Sequence, residues 1–208
     1  TAASLRGLEQ GSITVGANYR FYARQLAQLM ARFREKHPGI AFQTIEGTST
    51  TLVTALQEHR ADLCIISRRE GPHQWLPLRQ DQMMVMLSPQ HPLAADAVPI
   101  RRLETESYIE IYPGRETDNS RILAENGVCP GNRFAGVEDD FSAMAMVEAG
   151  LGVALVNALI AETLNGNVVF RPLDPPQYVE VGIATPPPEI MSPAARRFLN
   201  FVRENMEG

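Results

Sequence analysis

Two short polar runs carry the groups best suited to hold a small molecule. Asn18-Tyr19-Arg20 offers an amide, a phenol and a guanidinium, and Thr48-Ser49-Thr50 offers three consecutive hydroxyls. Hydroxyls and amides donate and accept, whereas a guanidinium only donates, so such groups suit a polar or anionic ligand. Each run closes a strand-like stretch and opens a helix-like one. A helix start adds free backbone N–H groups and the positive end of the dipole, which favour an anion. The competing reading is local: Asn18 and Thr48 as helix caps, Arg20 as a solvated cation. A capping hydroxyl keeps spare hydrogen-bonding capacity, so one residue can serve both roles. Ser49→Ala is therefore expected to weaken ligand binding roughly tenfold while leaving the fold intact. Two more candidates follow later in the chain. Tyr112 comes after the strand-like Tyr108–Ile111 and reads either as a ligand wall or as a surface aromatic. Asp139, within Glu138-Asp139-Asp140, precedes a helix, where an acid is more often a cap than a ligand contact. Phe141 beside it reads as a packing residue.

Other chemistries lack their residues. His37, His59, His73 and His91 are scattered, with no metal-ligand spacing. Met84, Met86, Met144 and Met146 suit core filling better than metal binding. There is no Gly-x-Ser-x-Gly elbow, no Walker loop and no dinucleotide fingerprint. No pair of side chains is spaced for acid–base work. The expectation is a binder with no catalytic residue, metal or cofactor, rather than an enzyme. Cys64 sits in the apolar run Leu63-Cys64-Ile65-Ile66 and reads as a buried thiol. Cys129 lies in a loop before Pro130, and neither cysteine has motif spacing that would argue for a disulfide.

The elements that must position these residues follow an α/β grammar. Ile13, Val15 and Ala17 form a strand; Leu26, Met30 and Phe33 then share one helix face at i, i+4, i+7 until Pro38-Gly39. Ile40, Phe42 and Ile45 make the next strand. A helix over about 50–59 carries Leu52 and Leu56 inward, and Leu63–Ile66 is a buried strand. Two successive βαβ units with right-handed crossovers put these strands in one parallel sheet. Ligands bind such sheets outside the carboxyl ends of the strands, where both polar runs fall. Trp75–Leu78 and Met83–Leu87 read as separate extended pieces, and proline breaks the chain between His91 and Ile100. A second αβ series follows: strands at 108–111, 134–137 and 152–156, helices at 116–126 and 138–149, and glycine at 127 and 150 as helix stops. Strands at 168–173 and 178–184 precede a last helix capped by Ser192, with Pro193 at its first position.

At 208 residues the chain can bury a sizeable core in one or two domains. A net charge of −5 argues against a nucleic-acid surface here. No apolar run approaches the roughly 20 residues of a membrane helix. The start of the chain lacks the apolar core of a signal peptide, so it reads as cytoplasmic or as a piece whose leader was removed.

Several stretches resemble, in order and over nearly the whole chain, the effector-binding (regulatory) domain of LysR-type transcriptional regulators. They are Gly11-Ser12-Ile13-Thr14-Val15-Gly16, Leu29-Met30-Ala31-Arg32-Phe33-Arg34-Glu35-Lys36-His37-Pro38, Glu46-Gly47, Ala61-Asp62-Leu63, His91-Pro92-Leu93-Ala94, Met146 to Leu155, and Ser192 to Phe198. One departure is His59-Arg60, where the family usually has a glycine before the Asp-Leu strand. The resemblance implies an α/β fold of the type 2 periplasmic-binding-protein-like kind: two α/β subdomains joined by two crossover segments, with a small-molecule effector in the cleft between them. Residues 1–10 would end a linker helix, 11–88 with 186–208 would form subdomain I, and 89–185 subdomain II. It further implies a homodimer or higher homo-oligomer, in which the helix after Arg20 lies near a helix such as 116–126 of the other chain. DNA would be bound only through an N-terminal domain absent from this sequence, and no membrane is involved. The effector is expected to be a small polar metabolite, anionic or amino-acid-like. An extracytoplasmic solute-binding protein of a transporter is the alternative on the same fold.

Overall fold

The computed structural model describes residues 10–18 and 20–206. The linker-helix reading of residues 1–10 falls, apart from Gln10, outside the described residues, and so does Tyr19. The chain divides into two compact units, residues 1–79 with 180–208, and residues 80–179.

In the first unit β1 (Gly11–Ala17) runs parallel to β2 (Ile40–Glu46) over its whole length. On its other side β1 is parallel to β3 (Leu63–Ser67), paired from Val15–Leu63 to Ala17–Ile65. The returning strand β10 (Tyr178–Thr185) is antiparallel to β3. Every residue of β3 is buried, as expected for a central strand covered on both faces. The turn into β3 is held by Asp62, whose carboxylate accepts the Thr14 N–H at 2.7 Å while its own N–H donates to the Thr14 carbonyl at 2.8 Å.

Helix α1 (Ala23–Lys36) buries Leu26, Leu29 and Phe33. Leu29 takes the inward place expected of Met30, which is only half-buried; the two spacings, i+3 and i+4, straddle the 3.6-residue turn. The last helix, α6 (Pro193–Asn205), starts as the sequence suggests. The Ser192 hydroxyl accepts the Ala195 N–H at 3.1 Å, with Pro193 in the first turn. Its Phe198 is fully buried and packs edge-on against Phe33 and Phe42, with ring centroids 5.1 and 4.9 Å apart. Helix α2 (Ser49–Gln57) turns Leu52, Val53 and Leu56 onto Cys64, Ile66 and Ala184.

The C-terminus of α2 explains the His59-Arg60 departure. His59 takes φ 56, a left-handed conformation. Its N–H donates to Leu56 O at 3.1 Å, and the Arg60 N–H reaches Ala55 O at 2.8 Å. This is the paired-bond helix stop for which glycine is the usual residue. Glycine fills the same role after α3 (Asp118–Glu125) and α4 (Asp140–Glu148), at Gly127 (φ 62) and Gly150 (φ 75).

Strand β4 (Gln74–Leu87) is one continuous strand rather than two pieces, and the divide between the units falls within it, as it does within β10. In the second unit β4 pairs antiparallel with β8 (Ala154–Asn157) and with β9 (Val169–Asp174). The polar run that masked its continuity includes Asp81, which is buried and accepts the Leu159 N–H at 3.1 Å, in the short helix α5 (Ala158–Ala161). The proline-broken stretch contains a two-residue strand, β5 (Val98–Pro99), parallel to β9, and a short 3-10 helix, Ile100–Glu104. A small parallel sheet joins β6 (Ser107–Ile111) to β7 (Asn132–Val137). Two apolar clusters fill this unit, one around Met83, Val85, Leu103 and Leu155, the other around Met86, Ile109, Val147 and Val156.

Candidate ligand-binding site

The carboxyl ends of β1 and β3 and the start of α2 meet in the first unit. Thr48 is the N-cap of α2: its hydroxyl accepts the Thr51 N–H at 3.3 Å, and the Thr51 hydroxyl donates to the Thr48 carbonyl at 2.9 Å. Ser49, the first helical residue, is completely buried. Its oxygen accepts the Asn18 amide N–H at 3.2 Å and the Ser67 N–H at 3.0 Å, and lies 2.9 Å from the Ser67 hydroxyl. Asn18 thus ties the end of β1 to the start of α2, and its own N–H donates to Ile65 O at 3.1 Å. Thr50 is half-buried.

Sequence reasoning missed two members of this cluster, Ser67 and Arg69. Arg69, two residues past the end of β3, is only 8% exposed. Its Nε donates to the Thr50 hydroxyl at 3.0 Å, and its Nη1 to the Ser67 hydroxyl at 2.8 Å and the Arg68 carbonyl at 3.0 Å. The signal in the sequence was slight: a basic residue just after a buried strand, in the loop Arg68–Pro72. A buried guanidinium beside a helix N-terminus makes this edge rich in donors, which is the electrostatic setting of an anion site.

Arg20 is exposed and stands in a 3-10 turn, Arg20–Tyr22, so α1 proper begins only at Ala23. The N-cap of α1 is Tyr22, with no side-chain cap bond, so Asn18 does not cap that helix. The structure joins Asn18, Ser49, Ser67, Thr50 and Arg69 in one network and leaves Arg20 outside the hydrogen bonds described above.

Tyr112 and Asp139 belong to the second unit and lie at the ends of β6 and β7. Tyr112 has φ 57, and its N–H donates to Val137 O at 2.7 Å. A tyrosine in the left-handed region costs of order 1–3 kcal/mol. The Arg115 guanidinium stands over the Tyr112 ring, 5.6 Å from its centroid, and pairs with Glu138 at 2.8 Å. Asp139 is the N-cap of α4: one carboxylate oxygen accepts the Ser142 N–H at 2.8 Å and the other the Ser142 hydroxyl at 2.7 Å. Phe141, expected to pack, is 62% exposed.

No cluster of metal-binding side chains occurs among the described residues, and no helix among them is long and apolar enough to cross a membrane. Both cysteines are free thiols. Cys64 is buried and its pKa is pushed up to about 12, chiefly by desolvation, while Cys129 is exposed.

In an α/β domain, polar groups gathered at the carboxyl ends of strands stand where ligands bind. Residues 6–207 match the sequence model described as the LysR substrate binding domain, and the chain belongs to that family. Its curated relatives are transcriptional regulators. Over 206 residues it is 28% identical to the uncharacterized HTH-type transcriptional regulator YvbU of Bacillus subtilis, covering 98% of this chain and 70% of that protein. It is 27% identical to the HTH-type regulator BudR of Raoultella terrigena, covering 88% of this chain and 66% of BudR. The chain therefore spans about two thirds of the length of these regulators. Among solved structures, the effector-binding domain of QuiR in complex with shikimate superimposes with a TM-score of 0.75 at 23% identity, over 94% of this chain and 97% of that one. The BenM effector-binding domain with benzoate gives 0.70 at 22% identity, over 93% and 90%. The type 2 periplasmic-binding-protein-like α/β fold is that of these neighbours.

Proposed function

We propose that this chain is the sensor domain of a cytoplasmic transcriptional regulator, and that it binds a small metabolite bearing a carboxylate at the edge formed by Asn18, Thr48, Ser49, Thr50 and Arg69. The observation that carries the reading is Arg69, a buried guanidinium hydrogen-bonded to Thr50 and Ser67 beside the N-terminus of α2. A carboxylate there meets a fixed cation, the positive end of a helix dipole and a half-buried hydroxyl. Tyr19 and Arg20 sit on the same chain segment as Asn18 and extend the candidate set; Tyr112 and Asp139 are the candidates of the second unit. Two neighbours in fold carry shikimate and benzoate, each an acid, which supports the class of ligand for this chain. The domain acts by binding and not by catalysis, with no cofactor. It associates as a homodimer or higher homo-oligomer, and a separate helix-turn-helix segment, of the kind its relatives' names specify, contacts DNA.

A thermal-shift screen of metabolite carboxylates against their amides tests the reading, since a ligand of the folded state raises its melting temperature. Carboxylates are expected to dominate the hits. Thr50→Val, which removes a half-exposed hydroxyl, is expected to weaken a hit roughly tenfold. Hits confined to neutral apolar compounds would discard the anion site.

A further inference from the structure

The second unit holds a cavity of about 390 Å³ between α3 and the β6–β7 sheet. That volume is within the roughly 300–1,000 Å³ of small-molecule sites. Its apolar wall is Leu123, Val128 and Ile111, all buried, with the exposed Ala124 at the side. Its deep polar groups are already committed to the protein. The Tyr108 hydroxyl is hydrogen-bonded to the Leu155 backbone, and the Asn119 amide donates to Leu155 O at 2.8 Å. Thr117 and Ser120 cap the helix and each other.

What remains is an ion pair on the sheet side. Glu110 of β6 and Arg133 of β7 both line the cavity, with Arg133 Nη1 and Glu110 Oε2 3.4 Å apart. Charge-assisted contacts close to about 2.7–2.9 Å, so this pair is slack. Among the described residues each is the other's only ion-pair partner, and their side chains are 54% and 25% exposed for Arg133 and Glu110. The guanidinium keeps most of its five donors, and the carboxylate most of its lone pairs, for another molecule. A zwitterion meets both demands at once, carboxylate to Arg133 and ammonium to Glu110. An apolar side chain on the same molecule then fills the space against Leu123 and Val128. A simple anion would be opposed by Glu110 and a simple cation by Arg133.

We propose that this cavity is a second small-molecule site, specific for a free α-amino acid with an apolar side chain and independent of the Asn18–Arg69 edge. L-leucine is the probe, titrated into the ¹⁵N-labelled chain and followed by amide NMR. Shifts are expected at Glu110, Leu123, Ala124, Val128 and Cys129, with a Kd of about 1 mM or tighter. 4-Methylpentanoate, which lacks the ammonium, and 3-methylbutylamine, which lacks the carboxylate, should each bind at least about tenfold more weakly. Arg133→Gln and Glu110→Gln should cost a similar factor. Ala124→Trp, at a helix position exposed in the single chain, should abolish the shifts. Leucine shifts confined to Asn18, Ser49 and Arg69 would assign the amino acid to the first unit and overturn the proposal. Equal binding by the two half-molecules would overturn it as well, as would shifts at the cavity that follow protein concentration instead of leucine, which would mark an interface between copies.

Discussion

Replacing Ser49 by alanine removes the oxygen on which Asn18 and the Ser67 N–H converge. Read as a sequence, Ser49 is a ligand residue whose loss spares the fold. Its complete burial changes that expectation, because the stranded donors then pay a desolvation cost. Ser49→Ala should destabilise the domain by about 1–3 kcal/mol in urea unfolding, and an unchanged midpoint would show the network to be slack. Histidines give a second residue-scale test. Burial lowers the pKa of His37, helped by Arg197 and Lys36, and burial lowers that of His73 against the opposing pull of Glu70. A histidine that binds its proton more weakly when folded contributes stability above its unfolded pKa, about 6.5, which is lost as the pH falls through the lower folded value. Urea midpoints should therefore drop below about pH 6.5, and His73→Gln should flatten that slope. Asp62 is shifted upward, mainly by burial, so its own effect opposes this, with stability lost as the pH rises through its raised value in the acid range. Polar clusters at strand ends were legible from residue types. Arg69 was not, because only the tertiary fold brings a loop guanidinium onto Thr50 and Ser67.

At the scale of elements, the helix stops were the most legible feature and also offer a lever. Gly127 and Gly150 were readable as stops because glycine enters the left-handed region without cost. His59 occupies the same position at φ 56, where a side chain costs about 1–2 kcal/mol. Glycine relieves that strain but loses about 0.5–1 kcal/mol of chain entropy. His59→Gly should thus leave stability level or raise it by up to about 1.5 kcal/mol, measured as a shift in urea midpoint. Gly152 is the opposite case. A Cβ there would stand 2.4 Å from Ser107 O, a backbone atom that cannot swing aside. Gly152→Ala should cost about 1–3 kcal/mol or more, and a neutral result would mean that β6 and the Gly152 segment can part without penalty. The continuity of β4 escaped the sequence because Arg79-Gln80-Asp81-Gln82 looks like a loop. Asp81 is buried there, where a helix start, at Leu159, supplies a donor to its carboxylate.

For the molecule as a whole, the family and its α/β order were readable because many weak matches fall in sequence along nearly all of the chain. Acidity and the lack of a recognition helix in the sequence lead to a plain expectation for the isolated 208 residues: no sequence-specific shift of a DNA duplex in a gel. Sedimentation at rising concentration should reveal self-association, two-fold pairing being the commonest symmetry. A monomer at all concentrations would discard the proposed dimer.

The order of the chain has a consequence for how the protein is made. Residues 80–179 are one uninterrupted segment, whereas the other unit is assembled from 1–79 and 180–208. The first of those pieces contributes Phe33 and Phe42, but the ring that completes their cluster, Phe198, is synthesised only after the whole of the 80–179 segment. At about 5–20 residues per second, the intervening segment takes roughly 5–20 s to synthesise. For that interval α1 and β2 emerge with an aromatic face that has nothing to close over it. The nascent first piece thus keeps that face exposed until Phe198 is made, and the contiguous segment can finish folding while the earlier one waits.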